Sequence, residues 1–252
     1  MSAAPPLAGK IAVVTGAGKN IGRTIALTLA EDGADVVVNG RSDAALLDAV
    51  VGEIEAMGRR ALPVLADVSQ EDQVRALVAK TVDHFGGIDI VVSNAGLRRQ
   101  TPLIEMEFAE WREIMSVALD GAFLLARHTV PEMIKRGGGR FVGLSGVSHH
   151  AGVPNRVHVN ASKAGLEGLI HGMAGELGQY GITANAIAPG AIDTARGASA
   201  GAMPAALALD GIPLGRLGMP DEIAAAVRYL VGPGGGYVTG QTIHVNGGKV
   251  VS

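Results

Sequence analysis

The chain has 252 residues, of which 48% are hydrophobic and 18% are charged, and its formal net charge is −3. This composition is typical of a globular domain with a large apolar core, and the lack of a basic block argues against nucleic-acid binding. The sequence has no cysteine, which excludes disulfides, thiolate metal sites and cysteine nucleophiles. Because neither a signal peptide nor an apolar run of about 18 residues is present, we expect a cytoplasmic protein without a membrane partner. No metal site is predicted.

Short β-branched segments alternate along the chain with longer segments of helical periodicity. The predicted strands are Ile11–Thr15, Asp35–Val38, Ala61–Leu65, Ile88–Ser93, Arg140–Leu144, Thr183–Ile187 and Thr242–Val245. The predicted helices are Thr24–Glu31, Ala44–Met57, Gln73–Phe85, Trp111–Ile134, Leu166–Gln179 and Asp221–Leu230. Strict alternation of this kind predicts an α/β fold with a doubly wound, seven-stranded parallel sheet and helices on both faces. No linker separates two cores, so residues 1–252 are predicted to form one domain.

One segment, residues 193–215, breaks this alternation. It is rich in Gly, Ala and Pro and shows little periodicity before Pro213. Such a segment is either an ordinary surface loop or a lid, since long loops in compact α/β domains often cover binding sites. Its position after Pro189-Gly190 favours a substrate lid.

A glycine-rich turn follows the first predicted strand and opens the first helix. Its sequence is Thr15-Gly16-Ala17-Gly18-Lys19-Asn20-Ile21-Gly22. Glycines allow the backbone to turn tightly and to approach a pyrophosphate, and the N-terminus of the following helix offers N–H groups to the anion. The order of strand, turn and helix therefore predicts a dinucleotide site in a Rossmann-type fold.

The end of the second predicted strand bears on which dinucleotide is bound. An acidic residue about 20 positions after the glycines would hydrogen-bond a ribose 2′-hydroxyl and repel a 2′-phosphate. That position holds Gly40, and the next residue, Arg41, can pair with a phosphate, as can Lys19 in the glycine turn. The alternative is that both cations are merely solvated. The missing acid favours NADP over NAD.

The glycine turn and a downstream motif, Asn160-Ala161-Ser162-Lys163-Ala164-Gly165, resemble the short-chain dehydrogenase/reductase family of the classical type. Other matches span the chain: Asp67-Val68, Asn94-Ala95-Gly96 and Pro189-Gly190-Ala191-Ile192-Asp193-Thr194. The resemblance implies an NAD(P)-dependent oxidoreductase that acts on a small molecule and forms a homotetramer. The cofactor-binding residues it implies are Gly16, Gly18, Lys19, Asn20, Ile21, Gly22, Arg41, Asp67, Val68, Asn94, Ala95, Gly96, Lys163, Pro189, Gly190, Ile192 and Thr194.

The resemblance fails at three of the four catalytic positions of that family. There, a tyrosine exchanges the substrate proton, a lysine four residues later binds the nicotinamide ribose, a serine stabilises the substrate oxygen and an asparagine supports a water relay. Lys163 is present, but the tyrosine, serine and asparagine positions hold Val159, Gly146 and Ala118. A positioned general acid contributes about 10²–10⁴-fold to the rate and an oxyanion donor about 10²–10³-fold. We therefore expect ordinary carbonyl reduction to be impaired.

Neighbouring side chains offer substitutes for the lost proton donor. Histidine can donate a proton near neutral pH, and a hydroxyl can donate a hydrogen bond, so the catalytic candidates are Lys163, His158, His149, His150 and Ser145. Each histidine can equally be a surface or structural residue. The run Val157-His158-Val159 also resembles 2,4-dienoyl-CoA reductases, which lack the tyrosine at this position.

Three functions remain open at this point. The favoured one is an NADP-dependent oxidoreductase with an atypical site, acting on a carbonyl, enone or imine. The others are a nucleotide-binding protein without turnover and a redox-neutral lyase or isomerase that uses a histidine as base. Arg98, Arg99 and Arg156, expected at the rim of the pocket, either bind an acidic substrate or are solvated.

Overall fold

The computed structural model describes residues 4–195 and 211–251. Its strands are β1 (Ile11–Val14), β2 (Asp35–Gly40), β3 (Ala61–Leu65), β4 (Ile90–Ser93), β5 (Gly139–Leu144), β6 (Ile182–Pro189) and β7 (Thr242–Val245). Its α-helices are α1 (Asn20–Glu31), α2 (Ala44–Ala56), α3 (Glu71–Phe85), α4 (Phe108–Met115), α5 (Gly121–Lys135), α6 (Val157–Leu177) and α7 (Pro220–Val231). Within these residues, no helix combines the length and the apolar character that a bilayer crossing requires. Of the predicted lid, residues 196–210 lie outside the described part of the chain.

The seven strands form one parallel sheet in the order β3-β2-β1-β4-β5-β6-β7. Val13 of β1 lies in register with Val37 of β2 on one side and with Val91 of β4 on the other. The chain therefore winds outward from β1 in one direction and from β4 in the other. This reversal opens a crevice at the carboxyl ends of β1 and β4, where dinucleotides bind in folds of this kind. The predicted Rossmann-type, doubly wound fold is confirmed.

Helices cover both faces of the sheet, which gives two apolar cores. Helices α1, α2 and α7 pack on one face, where Ile25 belongs to the same buried cluster as Ala12 and Val14. Helices α3, α5 and α6 pack on the other face, where Val13 and Ile170 share a cluster. Successive residues of β1 thus enter opposite cores. Because both sides of the central strands are buried, their sequences are continuous apolar runs rather than alternating ones.

Two helices differ from the sequence prediction. The predicted helix Leu166–Gln179 begins nine residues earlier, at Val157. Small residues at its start carry no apolar periodicity, yet they allow close packing: a Cβ on Gly165 would lie 2.8 Å from the side chain of Leu119. The predicted helix Trp111–Ile134 is instead two α-helices, α4 and α5, joined by a π-helical turn over Ser116–Asp120. Turns of this type inside helices are frequent at functional sites.

Candidate active site

The glycine turn after β1 is held against the end of β4. Gly16 has a φ of 61°, a conformation that favours glycine, and a Cβ on Gly22 would lie 2.3 Å from the carbonyl oxygen of Gly16. The Thr15 hydroxyl accepts hydrogen bonds from the backbone N–H groups of Asn94 and Ala95, both at 3.0 Å. The Asn94 amide donates to the Thr15 carbonyl at 2.9 Å. These contacts leave a cradle at the start of α1 that larger residues would fill.

A groove runs from this cradle along the ends of β1, β2 and β3. It brings together residues that are far apart in sequence, and its lining includes Gly16, Gly18, Lys19, Arg41, Asp67, Val68, Ala95 and Gly96. Lys19 and Arg41 are exposed. The carboxylate of Asp43, also in the groove, accepts from the backbone N–H of Leu46 and so caps α2. The carboxylate of Asp67 accepts from the N–H and hydroxyl of Ser69.

A second cavity continues from the groove, with which it shares Gly96 and Leu97. Its walls come from the ends of β4, β5 and β6 and from the first turns of α6. The lining includes Ile21, Asn94, Arg98, Ser145, Gly146, Ser148, Arg156, Val159, Lys163, Pro189, Gly190 and Ile192. The two cavities together form one crevice across the reversal of strand order.

Lys163 provides the ammonium group of the second cavity. Its Nζ donates a 2.5 Å hydrogen bond to the carbonyl oxygen of Leu144 at the end of β5. Burial, reinforced by the nearby positive charge of Arg98, lowers the pKa of Lys163 to about 8, although the carboxylate of Glu167 opposes this shift. A Cβ on Gly96 would lie 3.6 Å from Nζ, so the glycine leaves space beside the ammonium. A cation with a pKa near neutrality can serve in proton transfer.

Known proteins resemble this chain over nearly its whole length. A family model described as enoyl-(acyl carrier protein) reductase matches residues 16–249. The 3-oxoacyl-[acyl-carrier-protein] reductase of Synechocystis sp. is 39% identical over 246 residues, which are 97% of this chain and 98% of that protein. The crystal structure of a short-chain type dehydrogenase/reductase from Mycobacterium marinum is 35% identical, covers 99% of this chain and 98% of its own, and superposes with a TM-score of 0.90.

The chain belongs to the short-chain dehydrogenase/reductase family. It is an NAD(P)-dependent oxidoreductase. The FabG protein of Staphylococcus aureus, named as a 3-oxoacyl-[acyl-carrier-protein] reductase, is 39% identical over 239 residues, or 95% of this chain and 97% of that protein.

The structure describes all three residues that the sequence analysis predicts at the tyrosine, serine and asparagine positions of the catalytic tetrad. Val159 is 5% exposed and lines the second cavity four residues before Lys163, on the same face of α6. Gly146 also lines it. Ala118 is buried in the π-helical turn between α4 and α5. The residue one helical turn before Lys163 in the cavity wall is therefore an aliphatic side chain.

Of the candidate replacements, Ser145 and Lys163 line the cavity and three histidines stand elsewhere. His158 is fully buried, with its Nε2 3.0 Å from the Glu110 carboxylate. His149 and His150 each place Nε2 3.3 Å from the carboxylate of Glu167. Among the described residues, none of the three histidines is part of the cavity lining.

Glu167 is a residue that the sequence analysis missed. It lies one helical turn after Lys163 and accepts a 2.6 Å hydrogen bond from the hydroxyl of Ser145. Burial would raise the pKa of Glu167, but hydrogen bonds from His149 and Ser145 and the charges of the two histidines together lower it to about 2. Its spacing of four residues from Lys163 is the signal in the sequence that points to it, since residues four apart share a helix face.

The arginines expected at the pocket rim separate into two groups. Arg98 and Arg156 line the cavity, and Arg156 is buried, with Nη1 donating to the Ser148 hydroxyl at 3.2 Å. Arg99 instead forms a 2.6 Å ion pair with Glu113. The cavity around Lys163 thus carries a concentration of positive charge.

Proposed function

We propose that this enzyme is an NADP(H)-dependent reductase with an atypical active site, acting on a small carbonyl, enone or imine and preferring conjugated C=C or C=N bonds. The observation that carries the proposal is the cavity in which Lys163 faces Val159 and Gly146. The crevice formed by the groove and the cavity would bind the dinucleotide. The tyrosine hydroxyl that protonates a substrate alkoxide in the family has no counterpart at position 159. Substrates whose reduction does not need strong protonation at oxygen suit such a site best.

The residues of the crevice fit a nicotinamide dinucleotide. The glycine turn and the start of α1 would hold the pyrophosphate, Asp67 and Val68 the adenine, and Asn94 to Gly96, Lys163 and Pro189 to Thr194 the nicotinamide ribose and amide. The bound cofactor supplies hydride to the substrate. Arg41 and Lys19 line the adenosine end of the groove, and Gly40 stands where an acid would repel a 2′-phosphate. These residues favour NADP over NAD.

The protein's own groups would then act on the substrate. Lys163, with a pKa of about 8, is largely protonated at neutral pH and can supply the proton that balances reduction. Ser145 and Ser148 add hydroxyls to the same cavity. Arg98 and Arg156 would stabilise negative charge that develops on a conjugated oxygen, because a cation stabilises such charge most strongly in a site sheltered from water. They equally favour a substrate with an acidic group.

Two features of the assembled enzyme extend this proposal. The first is the proposed substrate lid, residues 193–215. At its start, Ala195 is hydrogen-bonded to the glycine turn: the side chain of Asn20 donates to the carbonyl of Ala195 at 2.9 Å and accepts from its N–H at 3.1 Å. A homotetramer would bury the apolar side chains that α4 and α5 expose, such as Phe108 and Phe123.

A panel of acceptors tests the function. Purified enzyme is mixed with NADPH and, in turn, a simple ketone, a 3-oxoacyl thioester, an enone, an α,β-unsaturated acyl thioester and a cyclic imine. We expect loss of the reduced-nicotinamide absorbance with at least one conjugated substrate and a much weaker response with the simple ketone. Tight NADPH binding without consumption by any acceptor would contradict the proposal. So would conversion of a substrate without any change in that absorbance, which indicates a lyase or isomerase.

The cofactor preference depends on Arg41. Replacing Arg41 by alanine is expected to raise the Kd for NADPH by about 10–100-fold, because a hydrogen-bonded charge pair contributes about 1.5–3 kcal/mol. The Kd for NADH should stay unchanged, since NADH lacks the 2′-phosphate. Both constants are measured by the fluorescence of the reduced cofactors. The matched control is Arg75→Ala, at an exposed position on α3, which should leave both Kd values unchanged. If Arg41→Ala left the ratio of the Kd for NADPH to the Kd for NADH unchanged, the assignment of Arg41 to the 2′-phosphate would be contradicted.

A further inference from the structure

Two histidines and a glutamate converge beside the active-site cavity without taking part in its lining. His149 and His150 lie in the loop between β5 and α6, and Glu167 lies in the third turn of α6. One ligand-type atom from each residue lies within 4.8 Å of the others. We propose that His149, His150 and Glu167 form a binding site for a divalent transition-metal ion, with Zn²⁺ as the expected occupant. The sequence predicts no such site, because 16 residues separate the histidine pair from the glutamate.

Two separations within the cluster are close to the edge of a zinc coordination tetrahedron. The Nε2 of His149 lies 3.3 Å from one carboxylate oxygen of Glu167, and the Nε2 of His150 lies 3.3 Å from the other. Ligands that bind zinc at about 2.0–2.2 Å in a tetrahedron lie about 3.3–3.5 Å from one another. Without an ion, the same separation allows a hydrogen bond, as between His150 Nε2 and Glu167 Oε1 at 3.3 Å. The cluster therefore holds each imidazole at tetrahedral-edge distance from one oxygen of the same carboxylate, with all three ligand atoms within 4.8 Å of one another.

The chemistry and burial of the three groups also suit this ion. Two imidazoles and one carboxylate are a donor set that zinc accepts, with a fourth position left for water. The side chains of His149 and Glu167 are 11% and 10% exposed, while that of His150 is 26% exposed. The two inner ligands are thus sheltered, and His150 leaves a path from solvent.

A hydrogen bond from outside the cluster orients the carboxylate. The Ser145 hydroxyl donates to Glu167 Oε1 at 2.6 Å, which is the kind of contact that fixes a metal ligand in place. Ser145 also lines the active-site cavity. The ring of His244 on β7 closes the cluster on another side, with its centroid 4.6 Å from that of His150.

The position of the site indicates a structural role. The loop from 145 to 156 carries Ser145, Gly146, Ser148 and Arg156, which form one wall of the cavity. An ion held by His149, His150 and Glu167 would cross-link this loop to α6 and fix that wall relative to Lys163. This inference stands apart from the proposed reduction, since it requires neither a particular cofactor nor a particular substrate.

Metal content and affinity test the inference. The enzyme, without any histidine tag, is stripped with a chelator, dialysed against Zn²⁺ and then against metal-free buffer, and analysed by mass spectrometry of the elements. We expect one zinc ion per chain, a higher Tm with zinc, and Co²⁺ absorption bands typical of four or five ligands. Competition with a chromophoric chelator should show that His150→Gln and Glu167→Gln each weaken zinc binding at least about 100-fold. Ser145→Ala should weaken it by about 10-fold or more.

Matched substitutions on the same helix separate this site from adventitious binding. His171→Gln and Glu176→Gln replace exposed residues of α6 and should leave the zinc affinity unchanged. The inference is overturned if the stripped parent protein takes up no zinc, or if His149→Gln/His150→Gln binds zinc as tightly as the parent. Should Glu167→Gln fail to fold by circular dichroism, the Co²⁺ spectrum of the parent decides: a spectrum equal to that of hydrated Co²⁺ overturns the site.

Discussion

Replacing Lys163 by methionine is expected to lower kcat/KM at least about 100-fold with every substrate that the enzyme reduces, because a positioned general acid contributes about 10²–10⁴-fold. Methionine has a similar length and preserves packing between β5 and α6, but it has no charge and no proton. Lys163 is the ammonium group of a cavity whose adjoining wall is the hydrocarbon of Val159, so the proposed site has no phenol to take over. NADPH consumption under steady-state conditions measures the effect.

The conservative variant separates the two roles of the lysine. Lys163→Arg keeps the positive charge and should retain NADPH binding, but its guanidinium does not release a proton near neutral pH. We therefore expect a lower kcat with a cofactor KM close to that of the parent. If Lys163→Met kept more than a third of the parent kcat/KM, the assignment of proton delivery to Lys163 would be wrong.

The same assignment predicts the direction of the pH dependence. Burial and the charge of Arg98 lower the pKa of Lys163 to about 8. Reduction uses the protonated amine, so its rate should be constant below about pH 8 and fall about tenfold per pH unit above it. The reverse oxidation should instead rise through the same range. The alkaline fall should be absent from the residual activity of Lys163→Arg.

Introducing a tyrosine and a serine at positions 159 and 146 is expected to create ordinary ketone reduction. The double variant Val159→Tyr/Gly146→Ser should reduce a simple ketone or a 3-oxoacyl thioester at least about 100-fold faster than the parent, since it supplies both a general acid and a hydroxyl for the substrate oxygen. The geometry permits the serine, because a Cβ on Gly146 would meet only the carbonyl oxygen of Pro189, at 3.9 Å. Val159 precedes Lys163 by one helical turn, so a phenol there would lie beside the ammonium that lowers its pKa.

A phenylalanine provides the matched control for this experiment. Val159→Phe/Gly146→Ser has nearly the same volume as the tyrosine variant but lacks the phenol hydroxyl, and it should show no comparable gain. Both variants must bind NADPH with the affinity of the parent. Equal and unimproved ketone reduction in the two variants would show that the pocket has diverged beyond the tetrad positions.

The central strands and the glycine turn could be predicted from local sequence. Apolar runs such as Ile90 to Val92 have the length and composition of buried parallel strands, and the sheet confirms them. The glycine turn was also recognisable, because the backbone at Gly16 and the contact at Gly22 exclude side chains. The start of α6 was missed because its small residues carry no hydrophobic period, and only packing against neighbouring elements makes them helical.

What the sequence by itself determined is the order of strands and helices, the glycine turn after the first strand and the presence of Val159, not tyrosine, four residues before Lys163, because each follows from residue type at a fixed spacing. Only the tertiary structure decided which polar groups meet. It brings Ser145 to the cavity, carries His158 away to Glu110, and joins His149 and His150 to Glu167. The physical reasons are that the loop after β5 can direct Ser145, His149 and His150 to either side of α6, and that packing, rather than a hydrophobic period, sets where α6 begins and so where His158 points.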